Sequence, residues 1–133
     1  MKAIIPVAWE KTKEGWTKLN FDGSLKAKTG KVSIGGVFRD HRAEFLLGYS
    51  ESIGNSTSNN AELAALCRGL ELILENGWTN YVWLEGDSKA LVNVIGRKCP
   101  VKSIEGQKYV NYVNEMILEL DNFVMSHVYR EGN

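Results

Sequence analysis

Three stretches in the first half of the chain mix apolar and polar residues over the length of a β-strand. They cover residues 16–23, 32–38 and 44–52. In the third stretch Phe45, Leu47 and Tyr49 occupy every second position, as expected for a strand with one buried face. The connections between the stretches are short and polar. Because short connections join antiparallel neighbours, the pattern predicts a three-stranded antiparallel meander.

A long helix is predicted after the meander. Leu63, Leu66 and Leu70 recur at helical spacing within residues 61–76, and Gly77 follows where helices often end in a left-handed residue. A helix of about four turns carries the chain back along a sheet. We therefore expect the next strand to run parallel to the first and third strands.

The second half of the chain predicts two more strands and two more helices. In chain order these are a strand at 81–85, helices at 88–96 and 104–120, and a strand at 123–129. Helical crossovers make both strands parallel to the first strand. The predicted fold class is α/β: a five-stranded mixed sheet, built from the meander plus two parallel strands, with helices on both faces.

The composition indicates a globular protein but does not indicate a binding partner. A chain of 133 residues with 44% hydrophobic and 24% charged residues fits one globular domain and excludes collagen-like, disordered and membrane-spanning classes. The net charge of zero gives no reason by itself to propose a nucleic-acid partner. The positive charge nevertheless falls in two blocks, Lys26, Lys28 and Lys31, then Lys89, Arg97, Lys98 and Lys102. A single block of this kind is usually a solvated face.

The cysteines and the N-terminus indicate the cellular compartment in which we expect the protein. Cys67 and Cys99 have neither metal-binding spacing nor a disulfide framework, which is typical of buried or incidental thiols in a reducing compartment. The short apolar run near Met1 is broken by Pro6 and lacks the length of a signal peptide or a membrane span. We expect a cytoplasmic or nuclear protein by default, with no membrane partner.

Three acidic residues lie where the predicted elements begin or end. Asp22 lies inside or at the end of the first strand, Glu62 lies in the first turn of the long helix, and Asp87 follows the fourth strand. Each has an ordinary structural explanation: an Asp-Gly turn, a helix-dipole interaction and an N-cap, respectively. The carboxyl ends of parallel strands are also where ligand sites form in open sheets. The predicted topology allows the three carboxylates to converge.

Converging carboxylates predict a metal site. Like charges held together are costly unless a cation neutralises them, and oxygen ligands favour Mg²⁺ or Mn²⁺. Two such ions on a carboxylate cluster can stabilise the in-line displacement of a phosphodiester. Each lysine block follows one of the acidic positions, where lysines can hold a nucleic-acid backbone.

Several motifs carry a resemblance to a known family. They are KLNFDGS at 18–24 with GGVFRD at 35–40, SNNAELAAL at 58–66, EGDS at 85–88 and HVYREGN at 127–133. In order and spacing they resemble plant ribonuclease H-like domains, which are similar to the RNase H domains attached to reverse transcriptases. The resemblance divides the chain into an N-terminal lead-in at 1–15 and an RNase H-like domain at 16–133.

The resemblance implies an activity and a set of site residues. As a ribonuclease H-like hydrolase, the domain would use Asp22, Glu62 and Asp87 to bind two Mg²⁺ or Mn²⁺ ions, with Asp22 bridging both. It would cleave the RNA strand of RNA–DNA hybrids, leaving 5′-phosphate and 3′-hydroxyl ends. The implied substrate-binding residues are Gly23, Ser24, Lys26, Asn59, Ser88 and Lys89. Such a surface reads shape and 2′-hydroxyls, so double-stranded RNA is a second expected partner.

The sequence departs from the family at one point. In the family, an Ala-Asp pair beyond the asparagine matched by Asn133 supplies a fourth carboxylate on a last helix, and this sequence ends before it. We therefore expect a domain truncated before its last helix, with weak or absent cleavage and an apolar patch suited to dimerisation. The alternative is a non-catalytic nucleic-acid-binding module derived from an RNase H domain. Nothing specific in the sequence favours a purely structural interaction domain.

Overall fold

The computed structural model describes residues 15–87 and 103–128, without the side chains of Asp87, His127 and Val128. The elements in chain order are β1 (Trp16–Lys26), β2 (Lys31–Arg39), β3 (Phe45–Asn55), α1 (Ser58–Asn76), β4 (Tyr81–Asp87), α2 (Ile104–Ile117) and β5 (Phe123–Val128). Every element predicted within these ranges is present. The helix predicted over residues 88–96 lies outside them.

The five strands form one mixed sheet in the order β3-β2-β1-β4-β5. Strands β1, β2 and β3 pair antiparallel as consecutive hairpins, whereas β4 pairs parallel to both β1 and β5. The β1–β2 hairpin closes where the amide of Gly30 donates to the carbonyl of Lys26 at 2.8 Å. Gly30 has a φ of 72°, which glycine adopts without a steric penalty. The predicted α/β fold class is confirmed.

Both described helices begin at a hydroxyl cap. The side chain of Thr57 accepts from the amide of Asn60, so α1 begins three residues before the predicted start at Ala61. It ends as predicted, at Gly77 with a φ of 71°. Helix α2 ends at Ile117 rather than at Leu120, because tighter i→i+3 hydrogen bonds replace the helical pattern beyond Met116.

The main hydrophobic core lies between the sheet and the two helices. Leu19 and Phe21 of β1 and Leu84 of β4 share one buried cluster with residues from both helices, including Leu66 and Val113. A second buried cluster holds Trp16, Trp83 and Val124. Strand alternation places this second cluster on the opposite face of the sheet. Both described helices therefore pack on the same face, and a helix on the other face stays a prediction.

Helix α1 packs against the meander through a glycine. The Tyr49 ring lies over Gly36, where a Cβ would come within 2.5 Å of ring carbon Cζ. The Tyr49 hydroxyl then donates to the carbonyl of Ala65 in α1 at 2.6 Å. This contact ties the third strand to the helix that carries Glu62.

Cys67 of α1 is buried in the main hydrophobic core. Burial, with a smaller contribution from Glu71, raises the pKa of its thiol to about 12. The buried thiol predicted from sequence is confirmed for this cysteine, whereas Cys99 lies outside the described residues. In the part of the chain that the structure describes, neither helix has the length and apolar character needed to cross a membrane.

Candidate active site

Strand β1 and helix α1 approach each other most closely at Gly23. This residue is buried, and a Cβ on it would lie 2.7 Å from the Cβ of Ala61. Real side chains do not come that close, so a glycine is needed for β1 to lie against the first turn of α1. Asp22 precedes Gly23 in β1, and Glu62 follows Ala61 in α1.

Glu62 is held in this contact as a buried carboxylate. Its exposed fraction is 6%, and its Oε1 accepts from the amide of Gly23 at 2.8 Å. The second oxygen, Oε2, is also buried. A buried carboxylate costs free energy unless hydrogen bonds or opposite charge compensate it. Asp22 lies in the exposed part of the strand next to this bond.

Asp87 ends the strand beside β1. Strands β1 and β4 pair in parallel register from Trp16↔Tyr81 to Asn20↔Glu85. Asp22 and Asp87 lie two residues further along these strands. The two acidic residues therefore occupy equivalent positions on neighbouring strands. The side chain of Asp87 lies outside the described residues.

The three predicted ligands lie on β1, α1 and β4. The amide that follows Asp22 donates to Glu62, and Asp87 ends the strand that pairs in parallel with β1. Among the described side chains, no group of three or more His, Cys, Asp or Glu residues is arranged as a metal site. The chemistry of Asp22 and Glu62 still fits a hard divalent cation, because both offer carboxylate oxygens.

Four of the six predicted substrate-binding residues lie in the described part of the chain. Gly23 is buried, and Ser24 and Lys26 are exposed further along β1. Asn59 is half-buried in the first turn of α1. Ser88 and Lys89 lie outside the described residues. The described four therefore belong to the two elements that carry Asp22 and Glu62.

A polar network that sequence reasoning missed lies next to the acidic positions. Glu85 Oε1 accepts from Asn20 Nδ2 at 2.7 Å and pairs with Lys18 Nζ at 3.2 Å. Glu85 Oε2 accepts from the hydroxyl of Ser126 at 2.9 Å. The sequence signal was a charged residue at the end of an otherwise apolar strand, two positions before Asp87.

Glu85 remains ionised within this network. Burial by itself would raise the pKa of its carboxyl, but hydrogen bonds from Asn20, Ser126 and Lys18, together with the charge of Lys18, hold that pKa below its ordinary value. Lys18 Nζ also lies 4.1 Å from the centre of the Trp83 ring, a cation–π distance.

A second network fixes the start of α1. The buried Asn60 donates through Nδ2 to Glu105 Oε1 at 2.8 Å and to Ser56 Oγ at 3.2 Å. Ser56 in turn donates to Glu105 at 2.7 Å. Because Glu105 belongs to the first turn of α2, these bonds tie the N-termini of the two helices together. They hold the turn from which Asn59 and Glu62 project.

Comparison with known proteins decides the family. The sequence profile of the reverse transcriptase-like family matches residues 20–133, which is most of the chain. The chain belongs to this family. Together with the structural matches, this identifies an RNase H-like domain of the plant type, and the resemblance seen in the motifs is confirmed.

The RNase H-like domain is similar to a plant protein in sequence and to solved structures from an archaeon and from compost in fold. A protein of Arabidopsis thaliana, provisionally named a ribonuclease H protein, is 31% identical over 128 residues, or 96% of this chain. The chain spans 20% of the length of that relative. RNase H1 of Halobacterium salinarum has a TM-score of 0.76 and 23% identity over 86% of each chain. LC11-RNase H1, isolated from compost and solved in complex with an RNA/DNA hybrid, has a TM-score of 0.74 and 27% identity over 88% of each chain.

The close contact in this RNase H-like domain makes a stability prediction. We expect Gly23→Ala to lower the free energy of unfolding by about 3 kcal/mol, because the added Cβ meets helix backbone that cannot rotate away. Urea denaturation measures the change. Gly48→Ala is the control, since its Cβ would lie 3.4 Å from the nearest atom of Phe45 and should cost less than about 1 kcal/mol. Equal stability of the two variants would show that β1 and α1 do not touch at Gly23.

Proposed function

We propose that this RNase H-like domain is a metal-dependent endonuclease that hydrolyses the RNA strand of RNA–DNA hybrids. The observation that carries the proposal is the buried Glu62 carboxylate, bonded at 2.8 Å to the amide that directly follows Asp22. A neutral acceptor such as glutamine could take the same hydrogen bond without the cost of a buried charge, so an acid at this position supports a role besides stability. The hybrid bound to LC11-RNase H1 supports the same class of substrate.

Asp22, Glu62 and Asp87 are the residues that would hold Mg²⁺ or Mn²⁺, with two ions expected. Bound there, the ions would supply positive charge that stabilises the charge developing on the phosphodiester. The chain itself supplies the fixed arrangement of carboxylates. The amide of Gly23 orients one oxygen of Glu62, and the close packing of Gly23 on Ala61 keeps β1 and α1 from moving apart. This order is set before any substrate binds.

The residues around the acids would bind and orient the hybrid. Lys26 is exposed at the end of β1, where it would contact a phosphate. Ser24 and Asn59 carry hydrogen-bonding side chains on the two elements next to the acids, which suits contacts to ribose 2′-hydroxyls. We assign Ser88 and Lys89 to the same surface. Such contacts recognise the shape of the hybrid and its ribose hydroxyls, not its bases, so we expect little preference for base sequence.

The test is cleavage by the full chain. We expect an end-labelled RNA–DNA hybrid to be cut in Mg²⁺ or Mn²⁺ and left intact in EDTA, with 5′-phosphate and 3′-hydroxyl product ends. A DNA duplex and a double-stranded RNA of the same sequence should stay uncut. Hybrid binding without cleavage in either metal would replace this proposal with the binding module. Absence of both binding and cleavage at low salt would contradict both functions.

A further inference from the structure

The spacing between Asp22 and Asp87 depends on contacts that precede them. Strands β1 and β4 share a parallel register whose last described pair is Asn20↔Glu85. Asp22 and Asp87 each lie two residues further along their strand. Any contact that fixes Asn20 against Glu85 therefore also fixes how far apart the two strands carry Asp22 and Asp87.

Glu85 makes that contact and extends it over three strands. Its Oε1 accepts from Asn20 of β1 at 2.7 Å, and its Oε2 accepts from Ser126 of β5 at 2.9 Å. Ser126 is itself held by the Trp83 indole, which donates to its hydroxyl at 2.7 Å. Both carboxylate oxygens are thus used in bonds between neighbouring strands. A polar side chain engaged in this way has a single orientation.

The opposite face of the same strand pair is equally fixed. The ring of Phe21 covers Gly86, and a Cβ at Gly86 would lie 2.6 Å from Phe21 Cε1. Phe21 precedes Asp22, and Gly86 precedes Asp87. The two strands are therefore held by packing on the helix-covered face and by hydrogen bonds on the other face, directly before the acidic positions.

We propose that Glu85 is a positioning residue for the metal site: through Asn20 and Ser126 it sets the spacing of Asp22 and Asp87, and thereby the affinity of the site for divalent metal. The inference rests on the proposed function, because it assigns Asp22 and Asp87 as ligands. Glu85 itself contacts no metal in this account. Residues that orient metal ligands commonly change metal affinity by 10- to 100-fold when they are lost.

The experiment measures Mn²⁺ binding to the full chain by calorimetry. We expect Glu85→Ala to raise the Kd for Mn²⁺ by about 10- to 100-fold, whereas Glu85→Gln should stay within about threefold of the wild type. The glutamine oxygen can accept from Asn20 and Lys18, and its amide nitrogen can donate to Ser126. Asn20→Ala should also raise the Kd for Mn²⁺. The double variant, Asn20→Ala with Glu85→Ala, should have a Kd no higher than that of Glu85→Ala, because both changes break the same contact.

Glu51→Ala is the matched control. Glu51 is also a strand glutamate in an ion pair, 2.8 Å from Arg68, but it lies on β3 at the far edge of the sheet. We expect its loss to leave the Kd for Mn²⁺ unchanged. Thermal melts followed by circular dichroism establish that each variant is folded at the temperature of the titration. If Glu85→Ala does not fold, Asn20→Ala and Glu85→Gln decide the question.

Several results would overturn the inference. A folded Glu85→Ala that binds Mn²⁺ as tightly as the wild type would exclude positioning, as would Asn20→Ala without effect. Equal weakening in Glu85→Ala and Glu85→Gln would assign the effect to charge instead of geometry. Equal weakening in Glu51→Ala would assign it to general destabilisation. In each case wild-type binding and cleavage would leave the proposed function standing, whereas a wild type that neither binds Mn²⁺ nor cleaves would overturn both.

Discussion

Asp22→Asn is expected to lower the rate of hybrid cleavage by about a thousandfold or more while leaving the fold intact. In the proposed function Asp22 would hold the metal, and loss of that ligand would remove several kcal/mol of transition-state stabilisation, where each 1.4 kcal/mol corresponds to about tenfold in rate. Asp22 is exposed, so the isosteric amide should be tolerated. The variant should bind the hybrid at least as tightly as the wild type, because a negative charge next to the phosphates is gone.

Single-turnover cleavage and hybrid-binding titrations together measure this effect. Asp121→Asn is the matched control, since Asp121 is an exposed aspartate in the turn before β5, and its loss should change neither quantity. If Asp22→Asn cleaves at the wild-type rate, Asp22 is not a ligand. If it loses hybrid binding along with cleavage, the residue acts in binding the substrate.

Glu62→Gln should change stability and activity in opposite directions. Without metal, the neutral amide removes the cost of a buried charge but still accepts from the Gly23 amide, so the free energy of unfolding should rise by about 1 kcal/mol. The rate of cleavage should fall by about a hundredfold or more, because an uncharged oxygen is a weaker ligand for a hard cation.

Urea denaturation in EDTA and cleavage in Mg²⁺ supply the two readouts. Glu62→Ala separates the charge from the hydrogen bond, since it also leaves the Gly23 amide without its buried acceptor and should destabilise the fold by about 1–3 kcal/mol. A Glu62→Gln variant that is less stable than the wild type and equally active would identify Glu62 as a structural residue. That result would remove the observation on which the nuclease proposal depends.

Most of the fold follows from local patterns in the sequence. The leucine spacing of α1 and the short polar turns of the meander each reflect interactions within a few residues, so the elements and their directions could be predicted. The first strand was predicted to end at Gly23 but continues to Lys26. Residues 24–26 are exposed, and pairing with β2 at 31–33 holds them in the strand, an interaction that apolar patterning does not detect.

Part of the candidate site could likewise be predicted from the sequence, and part could not. The positions of Asp22 and Asp87 near the ends of neighbouring strands could be predicted, because they follow from the parallel topology. The Glu85 network could not be predicted, since it joins residues 65 and 41 positions apart through the register of three strands. The bonds of Asn60 to Glu105 likewise depend on how α1 and α2 pack together. Contacts of this kind arise only when the tertiary structure is complete.

The contact between Gly23 and Glu62 connects the fold to the proposed chemistry. Tight packing of β1 on α1 brings Glu62 to the amide that follows Asp22, and the Glu85 network joins β4 to β1 next to this contact. In the proposed function, stability and chemistry would therefore compete at this point: the close approach favours the folded state, whereas a buried carboxylate costs free energy unless hydrogen bonds or a cation compensate it.

The most direct test of the account is cleavage of one end-labelled RNA–DNA hybrid by the wild type and by Asp22→Asn, each in Mg²⁺, in Mn²⁺ and in EDTA. The account predicts that only the wild type with metal cuts the RNA strand, leaving 5′-phosphate ends, while both proteins bind the hybrid. Cleavage that persists in EDTA or in Asp22→Asn, or a wild type that binds the hybrid and cuts it in neither metal, would contradict it.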